Sequence, residues 1–435
     1  MAIPAMKEDF LHYVWQHQYY DKTDLRTEDG QPVTVLRPGH RNPDAGPDFL
    51  NARLRLGEVE WNGAVEIHIR ASDWHRHQHQ TDGKYDQVIL HVVYAADAPV
   101  QRTNGSDIPA LSLGTRLAPG LLTAYEQLSN QPAEAALPCA PLLPQVPELT
   151  RTMMLGRALL ERVEQKADRI ADLHQQVAED WEATAWHALA GAFGFQKNAE
   201  PMSQLARALP LSLVRRHRHD ARQLAALLFG QAGFLGEEPA DEYSRQLRTE
   251  YEFLRHKYNL HGTALATYDW NFLRMRPANF PTVRLAQLLA LLHARPTLFD
   301  ALLTAQNVRA LEQFFAAPLP EYWQTHTRPG KPGKVAVLGR TSIHLLITNV
   351  VVPLRVAYAR STGNPEQVEA AVTLLEQLPP EHNHLTAPYE AAGFLNKSAA
   401  DSQALLALQR GYCAPRRCLA CGIGARLLRQ PAGPL

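Results

Sequence analysis

Glu66-Ile67-His68 sets a carboxylate and an imidazole two residues apart. In an extended chain, side chains at i and i+2 leave from one face, so the two project together. Asp48, after Pro47 and before a β-rich run, approaches them if the two runs pair as an antiparallel hairpin. Two acids and a basic group on one patch suit a hard divalent cation, Mg²⁺ or Mn²⁺, which polarises a phosphodiester and lowers the pKa of an attacking water. A second constellation follows at once: Asp73, His75, His77, His79 and Asp82. The three histidines share a face if extended, and His75 and His79 share one if helical. Neutral imidazoles favour zinc, manganese or iron over magnesium. His91 sits inside an apolar run, where a lone histidine reads as a hydrogen-bonded core residue.

The cysteines form a third group. Of four in the chain, Cys413, Cys418 and Cys421 crowd near the C-terminus, and the other is Cys139. That is too few for a disulfide framework, while a C-x2-C pair with one more thiol nearby grips a metal. With Cys139 as the fourth ligand, zinc and a [4Fe–4S] cluster both fit the count.

The elements that must position these groups are legible as pattern. Residues 6–19 have apolar positions at helical spacing and read as an opening amphipathic helix. VTVLRPG, DFLNARLRL and VEWNGAVEIHIRAS read as three strands with hairpin connections. DWHRHQHQTDGKYD is a polar, partly helical segment, and QVILHVVYAA is a buried central strand. Residues 131–148 carry five prolines and read as an extended linker. Beyond it, apolar residues recur every three or four positions nearly to the end. The expected organisation is an α/β domain at 1–130, a linker at 131–150, an all-α domain at 151–400 and a basic, cysteine-bearing segment at 401–435.

Composition adds bounds. The chain has 435 residues with 44 Lys+Arg against 44 Asp+Glu, which gives no global electrostatic signal for nucleic acid. Locally, Arg215 and Arg216 lie in a basic run, and Arg274, Arg276 and Arg284 flank an aromatic and proline-containing stretch suited to phosphates and unpaired bases. No run of about 18 apolar residues occurs, and the N-terminus has acids where a signal peptide needs basic and then apolar residues, so a cytoplasmic protein with no membrane partner is expected.

The order helix, strand, strand with Pro47-Asp48, strand with Glu66-x-His68, helix, strand resembles the PD-(D/E)XK nuclease core. In that family the two acids bind metal and a lysine positions the nucleophile; His68 stands in the lysine position here. The resemblance implies a PD-(D/E)XK-like mixed sheet with flanking helices, and with the helical spacing beyond the linker the expected architecture is α+β, that sheet followed by a large all-α domain. It also implies a metal-dependent nuclease or phosphodiesterase acting on DNA or RNA, with Asp48, Glu66 and His68 as catalytic residues. Some nucleases of this type carry an iron–sulfur cluster on one distant and three C-terminal cysteines, as Cys139, Cys413, Cys418 and Cys421 would do. End to end, the chain also resembles an uncharacterised bacterial family, domain of unknown function 2851, through GPDFLNARL, VEIHIRASDWHRHQHQTDGKYDQVILHVVY, FLRMRPANFPTVRLAQL and GYCAPRRCLACGIGARLL. Two rival functions stay open. One is a non-catalytic nucleic-acid or protein-binding module with a decayed nuclease core; the other is a zinc hydrolase using the histidine cluster.

Overall fold

The computed structural model describes residues 6–129, 137–236, 238 and 240–429. The chain divides into two compact units: Met1–Met154 with Leu408–Leu435, and Leu155–Ala407.

The first unit is built on a mixed sheet. Its strands are β1 (Val33–Arg37), β2 (His40–Arg41), β3 (Phe49–Leu56), β4 (Val59–Arg70), β5 (Val88–Ala95) and β6 (Ala110–Ser112). Spatial order is β1-β3-β4-β5-β6, with β2 also paired to β3. The β1–β3, β2–β3 and β3–β4 pairs are antiparallel, whereas β4–β5 and β5–β6 are parallel. The expected α+β class, with a mixed sheet before many helices, is therefore observed. Burial follows pattern: β3 alternates between buried and exposed positions, while all but the last residue of β5 are buried. That is how strands with one and two covered faces differ. The two-residue β2 and three-residue β6 have too few residues to show a period, and were not anticipated.

The opening helix α1 (Glu8–His17) buries Phe10, Leu11, Tyr13, Val14 and Trp15 and ends at Gln18 in the left-handed conformation. Its Glu8 and Asp9 favour a helix N-terminus. After β4, the helical turn α2 (Asp73–Arg76) and two 3-10 turns, His79–Thr81 and Gly83–Gln87, carry the chain to β5. Helix α3 (Leu121–Ser129) follows β6. Within the stretch read as an extended linker, residues 131–136 lie outside the described residues. Ala140–Gln145 form a 3-10 turn begun by Pro141, with Leu143 and Val146 buried; proline's fixed φ is compatible with a first helical turn as well as with extension. The C-terminal segment joins this unit: the Gly422 N–H donates to Met154 Sδ at 3.2 Å, and Arg429 lies over the Tyr19 ring.

The second unit is helical, as the spacing predicts. Helix α4 (Glu148–Gln176) leads into it, followed by α5 (Trp181–Phe193), α6 (Ala199–Ala208), α7 (Leu211–His217), α8 (Ala221–Gln231), α9 (Glu242–Lys257) and α10 (Pro281–Ala294), with further helices up to Leu408. Every residue of α10 from Pro281 to Leu292 is buried, so this helix is a central strut rather than a surface element. Among the described residues, one helical stretch, Arg340–Ser361, is long and apolar enough to cross a bilayer; 72% of its apolar window is buried inside the protein.

Candidate metal centre

Two strands and one helix bring the acids together. Asp48 immediately precedes β3, and Glu66 and His68 lie late in β4. The Asp48 N–H donates to Glu66 Oε2 at 3.0 Å, and the Ile67 N–H donates to Asp48 Oδ2 at 3.0 Å. Each carboxylate is thus fixed by the other's strand. Glu66 is 4% exposed and His68 1%. The parallel register sets Glu66 beside His91 on β5. Gly63 permits this close strand approach, since a Cβ there would stand 2.5 Å from Ile89 Cγ2 and 2.7 Å from the Gln87 carbonyl oxygen.

Helix α1 supplies two residues that the sequence reading did not single out. Glu8 and His12 are one helical turn apart. His12 Nε2 lies 3.2 Å from Asp48 Oδ2, and Glu8 Oε1 lies 3.9 Å from His68 Nε2. Ligand-type atoms of Glu8, His12 and Asp48 fall within 4.8 Å of one another. Arg41 Nη2 faces His12 Nδ1 at 3.2 Å. A guanidinium only donates, so it favours the tautomer with the proton on Nε2, directed toward Asp48. His12 Nε2 faces the Asp48 carboxylate without forming an aligned hydrogen bond to it. The signal for this pair was present as a Glu-x3-His spacing inside a predicted helix.

The histidine segment divides. His77 and His79 reach the cluster: His68 Nε2 lies 3.1 Å from His77 Nδ1, and His79 Nε2 lies 3.3 Å from Glu66 Oε1. Gln78 between them is in the left-handed conformation, a backbone state that neither the extended nor the helical expectation included. His79 stacks on Tyr85 at 3.7 Å between centroids and meets the buried Trp74 edge-on. His75 does not join; its ring contacts the Pro99 carbonyl at 3.2 Å from an exposed position. Asp73 accepts from the Arg70 N–H and pairs with Arg76, and Asp82 accepts from the Lys84 N–H as a helix cap. Both aspartates are spent on local backbone. His91 is fully buried and bonds through Nε2 to His68 Nδ1 at 2.8 Å.

Electrostatics follow from crowding without a cation. Burial, and then the Asp48 carboxylate, raise Glu66 well above the usual carboxylate range. The same two causes lift Glu8 to about 7. Burial, followed by His91 and the other rings, lowers His68 to about 2, and burial with His79 lowers His91 to about 3. His77 and His79 are also lowered, first by burial. The rings are therefore neutral near pH 7, the state in which imidazole ligates metals. Buried His12 Nε2 and His79 Nε2 lack an aligned hydrogen-bond partner. Glu66 and Glu8, which resist ionisation, lie beside the neutral imidazoles of His68, His77 and His79, residue types that could ligate a divalent cation.

Cys139, Cys413 and Cys421 are buried, and Cys418 is partly so. Cys139 is pushed upward by burial first and then by Cys413, Cys421 and Cys418, so these three thiols lie within electrostatic reach of Cys139.

The arginines lie in the second unit. Arg215 approaches Glu182 at 3.7 Å, and Arg216 lies over the Tyr258 ring. Arg274 has a left-handed backbone and Arg276 precedes a 3-10 turn. Arg284 differs: it is 8% exposed, donates to Gln287, Asn279 and Ser342, and stacks on Phe195. Its guanidinium serves the interior and does not face a ligand. A cavity of about 1050 Å³ in the same unit is lined by Arg169, His187, Phe195 and Arg207 among others, and includes none of the acid–histidine residues.

No curated protein and no solved structure matches the chain significantly. A family model described as "Protein of unknown function (DUF2851)" matches residues 8–384, which include the acid–histidine cluster and end before the cysteine trio. The chain belongs to that family.

Proposed function

We propose that this protein is a divalent-metal-dependent hydrolase of phosphodiester bonds, a nuclease of DNA or RNA. The observation that carries this reading is the reciprocal fixing of Asp48 and Glu66 through the Ile67 and Asp48 backbone N–H groups. Buried Glu66 and half-buried Asp48 are tied together through backbone N–H groups, and with Glu8 added from α1 the acids resist ionisation, an opposition that a bound cation would relieve. Bound Mg²⁺ or Mn²⁺ supplies Lewis-acid polarisation of the phosphate and an acidified water. Asp48 and Glu66 would hold it, with His12 Nε2 facing Asp48 at 3.2 Å. His68 is better suited to orientation than to proton abstraction, because both its ring nitrogens already face other imidazoles.

Purified protein should cut DNA or RNA with Mg²⁺ or Mn²⁺. Asp48→Ala and Glu66→Ala should each lose at least about 100-fold, the upper end of what losing a metal's outer partners costs. Equal cutting by wild type and both folded variants overturns the assignment.

The four cysteines are proposed to hold a structural zinc or a [4Fe–4S] cluster. Their shared burial supports this, as does the mutual opposition of the thiols to ionisation, which a bound metal reverses.

A further inference from the structure

We infer that the cluster contains a second, chemically different cation pocket: a tetrahedral, zinc-class site made by His68, His77, His79 and Glu66, beside the oxygen-rich pocket of Asp48 and Glu8. This rests on reading the cluster as the centre of a metal-dependent hydrolase, and it names the second ion.

The distances carry it. Zinc with metal–ligand bonds of about 2.0–2.1 Å sets neighbouring tetrahedral ligands about 3.3 Å apart. Here His68 Nε2 to His77 Nδ1 is 3.1 Å, His79 Nε2 to Glu66 Oε1 is 3.3 Å, and His68 Nε2 to Glu66 Oε1 is 3.6 Å. The ligand atoms of the three histidines all lie within 4.8 Å of one another. His79 is more than nine-tenths buried, and its Nε2 has no aligned hydrogen-bond partner. A polar atom buried without a partner is costly, and a metal held among the three imidazoles, with Glu66 Oε1 beside His68 and His79, would satisfy it.

The outer partners fit as well. His68 Nδ1 meets His91 Nε2 at 2.8 Å, so with Nδ1 protonated, His68 Nε2 presents its lone pair to the pocket. Trp74 and Tyr85 fix the His79 ring on two sides. His77 is exposed and opens the pocket to solvent. Three imidazoles with Glu66 beside them select a borderline-soft ion, whereas the Glu8–His12–Asp48 group is richer in oxygen and suits Mg²⁺ or Mn²⁺ better. Glu66 faces both: Oε1 lies toward the imidazoles, and Oε2 accepts the Asp48 N–H.

The test uses the full chain and two metals. Protein equilibrated with Zn²⁺ and desalted is analysed for zinc, and Mn²⁺ binding is followed by electron paramagnetic resonance. His77→Ala with His79→Ala should carry one zinc per chain fewer than wild type and keep Mn²⁺. His77→Ala alone, at an exposed position, should weaken zinc binding at least tenfold without changing thermal unfolding of the zinc-free chain. Glu8→Gln should weaken Mn²⁺ and keep zinc. An unchanged zinc count in the double variant overturns the inference, as does simultaneous loss of both metals in every variant. Zinc bound in the expected ratio by a protein that never cuts nucleic acid upholds the site and removes only the nuclease reading.

Discussion

At Glu66, a carboxyl group is asked to sit among other acids in a place where water scarcely reaches. Its folded-state pKa is raised, so its favourable contribution is complete below about 4.5 and is lost as pH rises through the raised value. Glu8, lifted to about 7, behaves in the same direction. His68 and His91 act oppositely: depressed to about 2 and about 3, they stabilise above the unfolded imidazole value near 6.5, and that contribution is lost as pH falls through the depressed values. Metal-free Glu66→Gln should therefore melt higher than wild type at pH 8, by roughly a few degrees, with the gap closing toward pH 5. Scanning calorimetry in the presence of a chelator measures it, and a lower melting point for the variant at pH 8 contradicts the account. Asp48, Glu66 and His68 were readable because strand period fixes facing. His75 lies apart at the Pro99 carbonyl, and neither its contact nor the left-handed backbone of Gln78 is announced by the period of the histidines. The interior position of Arg284 depends on helices far away in sequence, Phe195 and Ser342 among its neighbours, and no local pattern announces that.

At the scale of elements, the alternation of β3 and the apolar run of β5 made their faces plain, whereas the short β2 and β6 left no signature. The change of partners along β4 is also local: its antiparallel pairing with β3 shifts register between Phe49 and Ala52 of β3, and its parallel pairing with β5 shifts between Ala64 and Val65. Gly63→Ala should force the Ile89 side chain and the Gln87 backbone away, costing about 1–3 kcal/mol as overpacking does. Because His91 is two residues beyond Ile89 on the same strand, metal affinity should fall with stability. Urea unfolding alongside a Mn²⁺ titration tests both, and a variant matching wild type in each would show that β5 has room. Helix α1 was legible as an amphipathic element, but its Glu8 and His12 face was not legible as a site. The apolar stripe identifies what a helix buries and is silent about which polar residues at its edge meet a partner.

For the molecule as a whole, the division into two units cuts across chain order. The first unit takes its sheet from one end of the sequence and its last helix, Gly422–Leu428, from the other. Its cysteines follow the same rule, with Cys139 in one segment and Cys413, Cys418 and Cys421 in the second. Sequence spacing grouped the trio, and elimination added Cys139, but their shared burial is a property of the assembled unit. Cys139→Ala with Cys421→Ala should lower the zinc or iron-and-sulfide content of anaerobically purified protein. It should also lower the melting temperature of the first unit, because metal-linked stability of several kcal/mol is lost. Elemental analysis and calorimetry check this, and unchanged metal content rules out the thiols as ligands.

The split composition of the first unit sets an order of events during synthesis. The ribosome delivers Cys139 before any residue of the helical unit, and delivers Cys413, Cys418 and Cys421 after all of it. A nascent chain interrupted anywhere in that interval holds a sheet whose closing segment does not yet exist. A translation product cut short before residue 408 therefore lacks part of its first unit even though every strand of the sheet has been made.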